Sequence, residues 1–207
     1  MSEPELLALL ALGLVGTFTP GPNNTLSAAL AANHGLRHAW PFVCAVPCGW
    51  GLLLLACHAG LGVLVQQAPF ARWVLLLFGA SYLLWLAWRL ARSDAWSNPT
   101  HQVLRVSFVQ GVALQIINPK AWFLAITVAS GWVVGFDQPV KRLLQVLPLF
   151  MGFGFVSNLA YAWAGAALRV WLQGPDRSAR RLRTFNRIMA LGLLATVVWM
   201  ALSTSRL

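Results

Sequence analysis

Residues 16–27 read GTFTPGPNNTLS and sit in the middle of the first long apolar run, about Leu6–Ala32. Pro20 and Pro22 flank Gly21, and Asn23 and Asn24 follow at once. Proline lacks a backbone N–H and clashes with the preceding turn, so a helix kinks or opens at such a place. In hydrocarbon each unsatisfied backbone group costs several kcal/mol, so an opened turn persists only where protein, water or a ligand satisfies it. The stretch therefore predicts a helix broken on purpose, with amide side chains at the break.

The rest of the chain supports a membrane setting for that break. Of 207 residues, 58% are hydrophobic and 10% charged, against about 25% charged in soluble domains. The mean hydropathy is +0.68. Six long apolar segments can be read: Leu6–Ala32, Trp40–Val65, Phe70–Leu90, Val106–Val134, Leu143–Leu172 and Phe185–Leu202. Each suffices for a hydrocarbon core about 30 Å thick. Barrel strands would instead show alternating segments of about ten residues. The N-terminus, MSEPE, lacks the positive region of a cleavable signal, and the first basic residue is Arg37.

The net charge of +10 does not indicate a nucleic-acid partner, because the basic residues fall in short loops between apolar runs. Arg37, Arg89, Arg92, Arg105, Arg169, Arg177, Arg180, Arg181, Arg183 and Arg187 fall on one side. Only Arg72, Lys141, Arg142 and Arg206 fall on the other. The richer side is expected to be cytoplasmic, which leaves both termini outside.

The fourth segment repeats the theme of the first, with a break at INPKA, Ile117–Ala121. The chain thus reads as a single transmembrane domain, residues 1–207, made of two three-helix repeats at about 5–91 and 105–204. Three is odd, so the halves must run in opposite orientations. Paired breaks in an inverted repeat are the usual sequence pointer to a transporter's central site. The expected architecture is all-α: six transmembrane helices in an inverted 3+3 repeat, with helices 1 and 4 broken. Pro119 is expected to disturb its helix more mildly than the Pro20–Gly21–Pro22 cluster does.

The expected substrate-binding residues are Pro20, Gly21, Pro22, Asn23, Asn24, Asn118, Pro119 and Lys120. Helix ends are positive at the N-terminus and negative at the C-terminus. A zwitterionic amino acid suits both, its carboxylate on free N–H groups and its ammonium on free carbonyls. Lys120 is the only charged residue deep in an expected span; it either pairs with a substrate carboxylate or snorkels to an interface. All five acids, Glu3, Glu5, Asp94, Asp137 and Asp176, lie at or beyond segment ends. That argues against a cation as cargo and leaves proton coupling without a carboxylate carrier. His58 either titrates or is simply packed.

Cys44, Cys48 and Cys57 share the second segment. Two rival functions use them: a membrane thiol-disulfide oxidoreductase, or a soft-metal exporter employing Cys44, Cys48 and His58. Free cysteine also behaves as a small buried hydrophobe, and the fourth to sixth segments contain no cysteine. No cofactor and no metal are expected. Trp73, Tyr82, Trp85, Trp88 and Trp96 suit interface belts. Gly131 and Gly135 suggest close helix contact, within the chain or in a homo-oligomer.

TPGPNNTL, NHGLRHA, LLFGASYLLWLAWRLARS and FVQGVALQIINPKAWFL together resemble the LysE/RhtB amino-acid exporter family over nearly the whole chain. The resemblance implies a six-helix bacterial inner-membrane carrier, not an enzyme, that expels small amino acids or derivatives, driven by the proton gradient. Its unwound motif would be Pro20–Asn23, with Asn118–Lys120 as the partner in the second half. TPGPNN with HGLR looks most like the cysteine/O-acetylserine branch, with threonine/homoserine-type substrates as the neighbouring class. Many relatives have an acid where this chain has Asn23, which favours a neutral substrate over a cationic one. Relatives tend to have glycines early in the second segment, where this chain has Ala39, Ala45 and Pro47 and keeps Gly49 and Gly51.

Overall fold

The computed structural model describes residues 1–93, 105–174 and 180–204. Asp94, Trp96, Asp176, Arg177 and Arg206 lie outside them. The described residues are helical throughout: α1 (Glu3–Phe18), α2 (Pro22–His34), α3 (Leu36–His58), α4 (Leu61–Gln67), α5 (Pro69–Ala91), α6 (Phe108–Ile116), α7 (Pro119–Val128), α8 (Pro139–Gln173) and α9 (Arg180–Thr204). A π-helical turn, Ala129–Val133, prolongs α7.

Among the described residues, α3, α8 and α9 are each long and apolar enough to cross a membrane. Two bent pairs, α1 with α2 and α6 with the α7 segment, raise the number of spans to as many as five. Helix α5 is 23 residues long, and its part Leu76–Ala91 is apolar. The molecular surface agrees with a lipid setting: Phe123 is 67%, Leu144 66% and Trp163 66% exposed, while Asn24, Asn33, Gln115, Asn118, Asn158 and Asn186 are buried. Apolar groups face out and amides face in.

Both expected breaks are present. The first pair bends by 49° and the second by 67°. Pro119 is therefore not the milder disturbance. The α6–α7 junction has only Ile117 and Asn118 between its helices, so the change of direction is concentrated in fewer residues. The second expected segment, Trp40–Val65, is also divided. Helix α3 starts at Leu36, stops at His58, and gives way to α4 after Gly60, which adopts the left-handed conformation (φ 98°) that ends helices. Pro41 and Pro47 lie inside α3 without ending it.

The two halves interlock. α1 and α2 lie on α8, α6 and α7 lie on α3, and α5 pairs with α9. Each broken helix thus rests on the uninterrupted helix of the opposite half. Glycine permits the closest crossing: a Cβ on Gly165 of α8 would collide with the backbone carbonyl of Ala28 in α2. Gly131 and Gly135 play no such part, since a Cβ on either would meet nothing within 4 Å. At one end of the bundle the Trp132 indole donates to Glu5 O (3.0 Å) and Arg142 pairs with Glu5 (3.5 Å). At the other, buried Asn33 and Asn186 exchange amide hydrogen bonds of 2.7 and 2.9 Å, and Ser93 Oγ donates to Asn33 (3.3 Å).

A Gly165→Ala variant tests the crossing. The added methyl meets backbone that cannot rotate away, and overpacking of this kind costs about 1–3 kcal/mol. The purified variant should unfold at a lower temperature than wild type, whereas Gly131→Ala should match wild type.

Candidate functional site

The site forms where the two breaks meet. Gly21, Pro22, Asn23, Asn24, Asn118 and Lys120 line one small cavity of about 50 Å³, together with Trp50, Phe150 and Asn158. Pro20 lies just outside it, on a groove of about 660 Å³ between α1, α7 and α9 that Lys120 also borders. Pro119 lines neither of these two spaces and acts by starting α7 at its first position.

The first break ends α1 with carbonyls that no longer have helical partners. Side chains from elsewhere take them. Asn24 Nδ2 donates to Thr17 O (2.9 Å) and Thr19 O (3.2 Å). Ser157 Oγ donates to Thr17 O (2.8 Å), and Tyr161 Oη donates to Phe18 O (3.0 Å). Lys120 Nζ donates to Thr19 O at 2.6 Å. This lysine neither snorkels outward nor waits unpaired: it caps the broken helix of the other half. Its stem passes so close to Gly21 that a Cβ there would stand 3.1 Å from both Cδ and Nζ. Asn23 and Gln115 form a reciprocal amide pair, Asn23 Nδ2 to Gln115 Oε1 at 2.8 Å and Gln115 Nε2 to Asn23 Oδ1 at 3.1 Å.

The N-terminal sides of the two breaks differ. Helix α7 is capped by its own Asn118, whose Oδ1 accepts from Lys120 N (3.1 Å) and whose carbonyl accepts from Ala121 N (2.9 Å) and Trp122 N (3.2 Å). The Trp122 indole closes the end of α6 by donating to Ile116 O (2.6 Å). Helix α2 starts at Gly21 with no side-chain cap. Pro22 has no N–H to offer, so the N–H groups of Asn23 and Asn24 are the first donors of α2. The positive end of a helix, open N–H groups and an adjacent ammonium make this corner of the cavity receptive to an anion. The expected free carbonyls, by contrast, are occupied.

Several residues of the site were not singled out in the sequence. Gln115, Ser157, Asn158 and Tyr161 each interrupt an apolar run, and in a membrane segment that is the available signal. Ser27 belongs with them: its hydroxyl donates to Asn158 Oδ1 (2.9 Å).

The cysteines do not assemble a second centre. Cys44, Cys48 and Cys57 are free thiols. Cys48 lines an apolar recess with Leu52, Leu55, Phe108, Val109 and Met151. Among the described residues, no three or more of His, Cys, Asp and Glu gather closely enough to hold a metal ion.

Paired breaks that bring amides and a lysine to one small cavity in a bundle of membrane helices suit a small-molecule translocator, and comparison with known proteins agrees. The model of the LysE type translocator family matches residues 14–203, and the chain belongs to that family of translocators, which are not enzymes. Its curated relatives include the cysteine/O-acetylserine efflux protein of Klebsiella pneumoniae subsp. pneumoniae, 33% identical over 165 residues, 80% of this chain and 84% of the relative. The protein of the same description from Escherichia coli (strain K12) is 31% identical over the same shares. No solved structure matches the chain.

Gln115→Leu keeps the size of this side chain but leaves the Asn23 amide without its partner. A buried polar group stranded this way costs about 1–3 kcal/mol. The variant should lose thermal stability, and Asn23→Leu combined with it should recover part of the loss. A double variant no more stable than the sum of the two single losses allows would show that the pair is not coupled.

Proposed function

We propose that the protein is a secondary exporter of small neutral amino acids or their derivatives, of the cysteine/O-acetylserine type, in the bacterial inner membrane, working by proton antiport. The relatives' efflux activity supports the cargo class. The single observation that carries the site is the contrast at the first break. The α2 N-terminus is uncapped, while Lys120 bonds Thr19 O just across Gly21.

A substrate carboxylate docks on the N–H groups of Asn23 and Asn24 and draws the Lys120 ammonium toward itself. Thr19 O is thereby released to the substrate's own ammonium. The zwitterion replaces, end for end, a bond that the protein makes with itself when empty. Because Lys120 belongs to the second half and Thr19 to the first, exchanging that bond also frees the halves to move. The cavity of about 50 Å³ is too small for an amino acid, since one water occupies about 30 Å³ of liquid. Loading an amino acid therefore widens it. Lys120 is also the ionisable side chain placed at the crossing, so it is the group we assign to proton exchange.

The architecture that accompanies this reading is six segments in two inverted repeats, about 5–91 and 105–204, with both termini periplasmic. The reciprocal packing of each broken helix on the other half's long helix, with α5 on α9, supports a two-fold relation.

Efflux from cells expressing the protein provides the test. Cysteine and O-acetylserine should accumulate outside faster than from cells without it. N-acetylcysteine, which lacks the ammonium, and cysteine methyl ester, which lacks the carboxylate, should not be expelled. Lys120→Met should lower efflux at least tenfold at equal membrane abundance. Export of the N-acetylated compound at the rate of cysteine, or an active Lys120→Met variant, would overturn the assignment. A Cys44→Ser, Cys48→Ser, Cys57→Ser variant should export normally.

A further inference from the structure

A second cavity, of about 560 Å³, opens at the end of the bundle where α2 hands over to α3. It is lined by His34, Arg37, His38, Pro41, Arg105, Val106, Ser107 and Gln110. Its chemistry is one-sided. Arg37 and Arg105 bring two guanidinium groups. The His34 and His38 rings stand 4.8 Å apart. His34 Nε2 is buried and has no hydrogen-bond partner among the described residues. The capping box at the start of α6 spends its acceptors internally: Ser107 Oγ accepts from Gln110 N (3.2 Å), and Gln110 Oε1 accepts from Ser107 N (2.9 Å). Ser107 and Gln110 still offer a hydroxyl proton and an amide NH₂ as donors. Arg169 lies nearby, its Nη1 3.1 Å from where a Cβ on Gly35 would stand. Among the described residues no carboxylate lines this cavity.

From this wall of donors we infer that the cavity binds a phosphate-class oxyanion. Arg37 and Arg105 are both exposed; like charges lining one recess repel one another, and a tetrahedral oxyanion between them relieves that repulsion. The planar forks of Arg37 and Arg105 suit its oxygens. The cavity does not overlap the central one and shares no residue with it. In the proposed orientation it lies at the cytoplasmic end, where the phosphate can come from an anionic lipid headgroup or from a soluble phosphate. Basic pockets between membrane helices on that side are recurrent headgroup sites. The inference does not rest on amino-acid export.

The test uses the full-length protein purified in detergent, with ionic strength held constant. Its unfolding temperature is measured with phosphatidylglycerol, with phosphatidylcholine, with inorganic phosphate, and with chloride as the reference. Ligands that bind only the folded state raise that temperature. Phosphatidylglycerol should raise it by several degrees and phosphatidylcholine should not. A rise with inorganic phosphate alone identifies a soluble phosphate as sufficient; a rise with phosphatidylglycerol only identifies the headgroup. Either rise should vanish in Arg37→Gln/Arg105→Gln. It should persist in Arg89→Gln/Arg92→Gln, which removes the same charge from the same end; those arginines lie over Trp85 and Trp88, at 4.9 and 4.6 Å. Equal rises in the two double variants, or no rise with either phosphate source, would overturn the proposal.

Discussion

The carbonyls of Thr17, Phe18 and Thr19 set the terms for this structure. They end a helix partway through a bundle whose outer surface is apolar, Thr17 and Phe18 part-buried and Thr19 on the groove, and in hydrocarbon each such carbonyl needs a donor. The protein answers with donors from three places: Asn24 from the next helix, Ser157 and Tyr161 from α8, and Lys120 from α7. Three of these four donors come from the opposite half of the chain. Satisfying one broken helix is therefore what draws the halves together. The polar seam and the central cavity are two aspects of one requirement.

That requirement explains an inverted distribution of polarity. In a soluble domain amides decorate the surface and the core is apolar. Here buried Asn24, Asn118, Asn158 and Gln115 gather at the breaks, and Asn33 and Asn186 gather near one end. Neutral amides can donate and accept at once, so Asn23–Gln115 and Asn33–Asn186 satisfy each other with no charge to desolvate. A carboxylate at position 23 would require a cation or a proton to be buried with it. Asn23 removes that need, and leaves Lys120 as the charge at the crossing.

How much of this was legible in the sequence depended on the range of the interaction. Both breaks were visible, because proline and glycine act on the backbone next to them. The break at Gly60 was not, because one glycine in an apolar run reads equally well as helix. The number of prolines marks where a helix opens but not how far it bends: the 67° bend at Asn118–Pro119 is taken up by a junction of only two residues. Donors such as Ser157 and Tyr161 showed only as polar interruptions. Their targets lie 140 and 143 residues away, and no local pattern encodes such a pairing.

The two breaks look equivalent in sequence, and their chemistry is not. At the second, Asn118 caps α7 with both its side chain and its carbonyl, and Trp122 closes α6, so the backbone is satisfied within the segment itself. At the first, the acceptor side is closed by borrowed groups and the donor side of α2 has no cap. A self-sufficient break is a rigid bend. A break completed by borrowed groups is conditional, since whatever replaces a lender changes how the halves are held. Of the lenders, Asn24 is anchored on two carbonyls and Ser157 is buried, whereas Lys120 reaches over a glycine on a long flexible stem and carries a full charge. It is the lender that our proposal lets a small zwitterion replace, and it stands where the cavity and the groove meet.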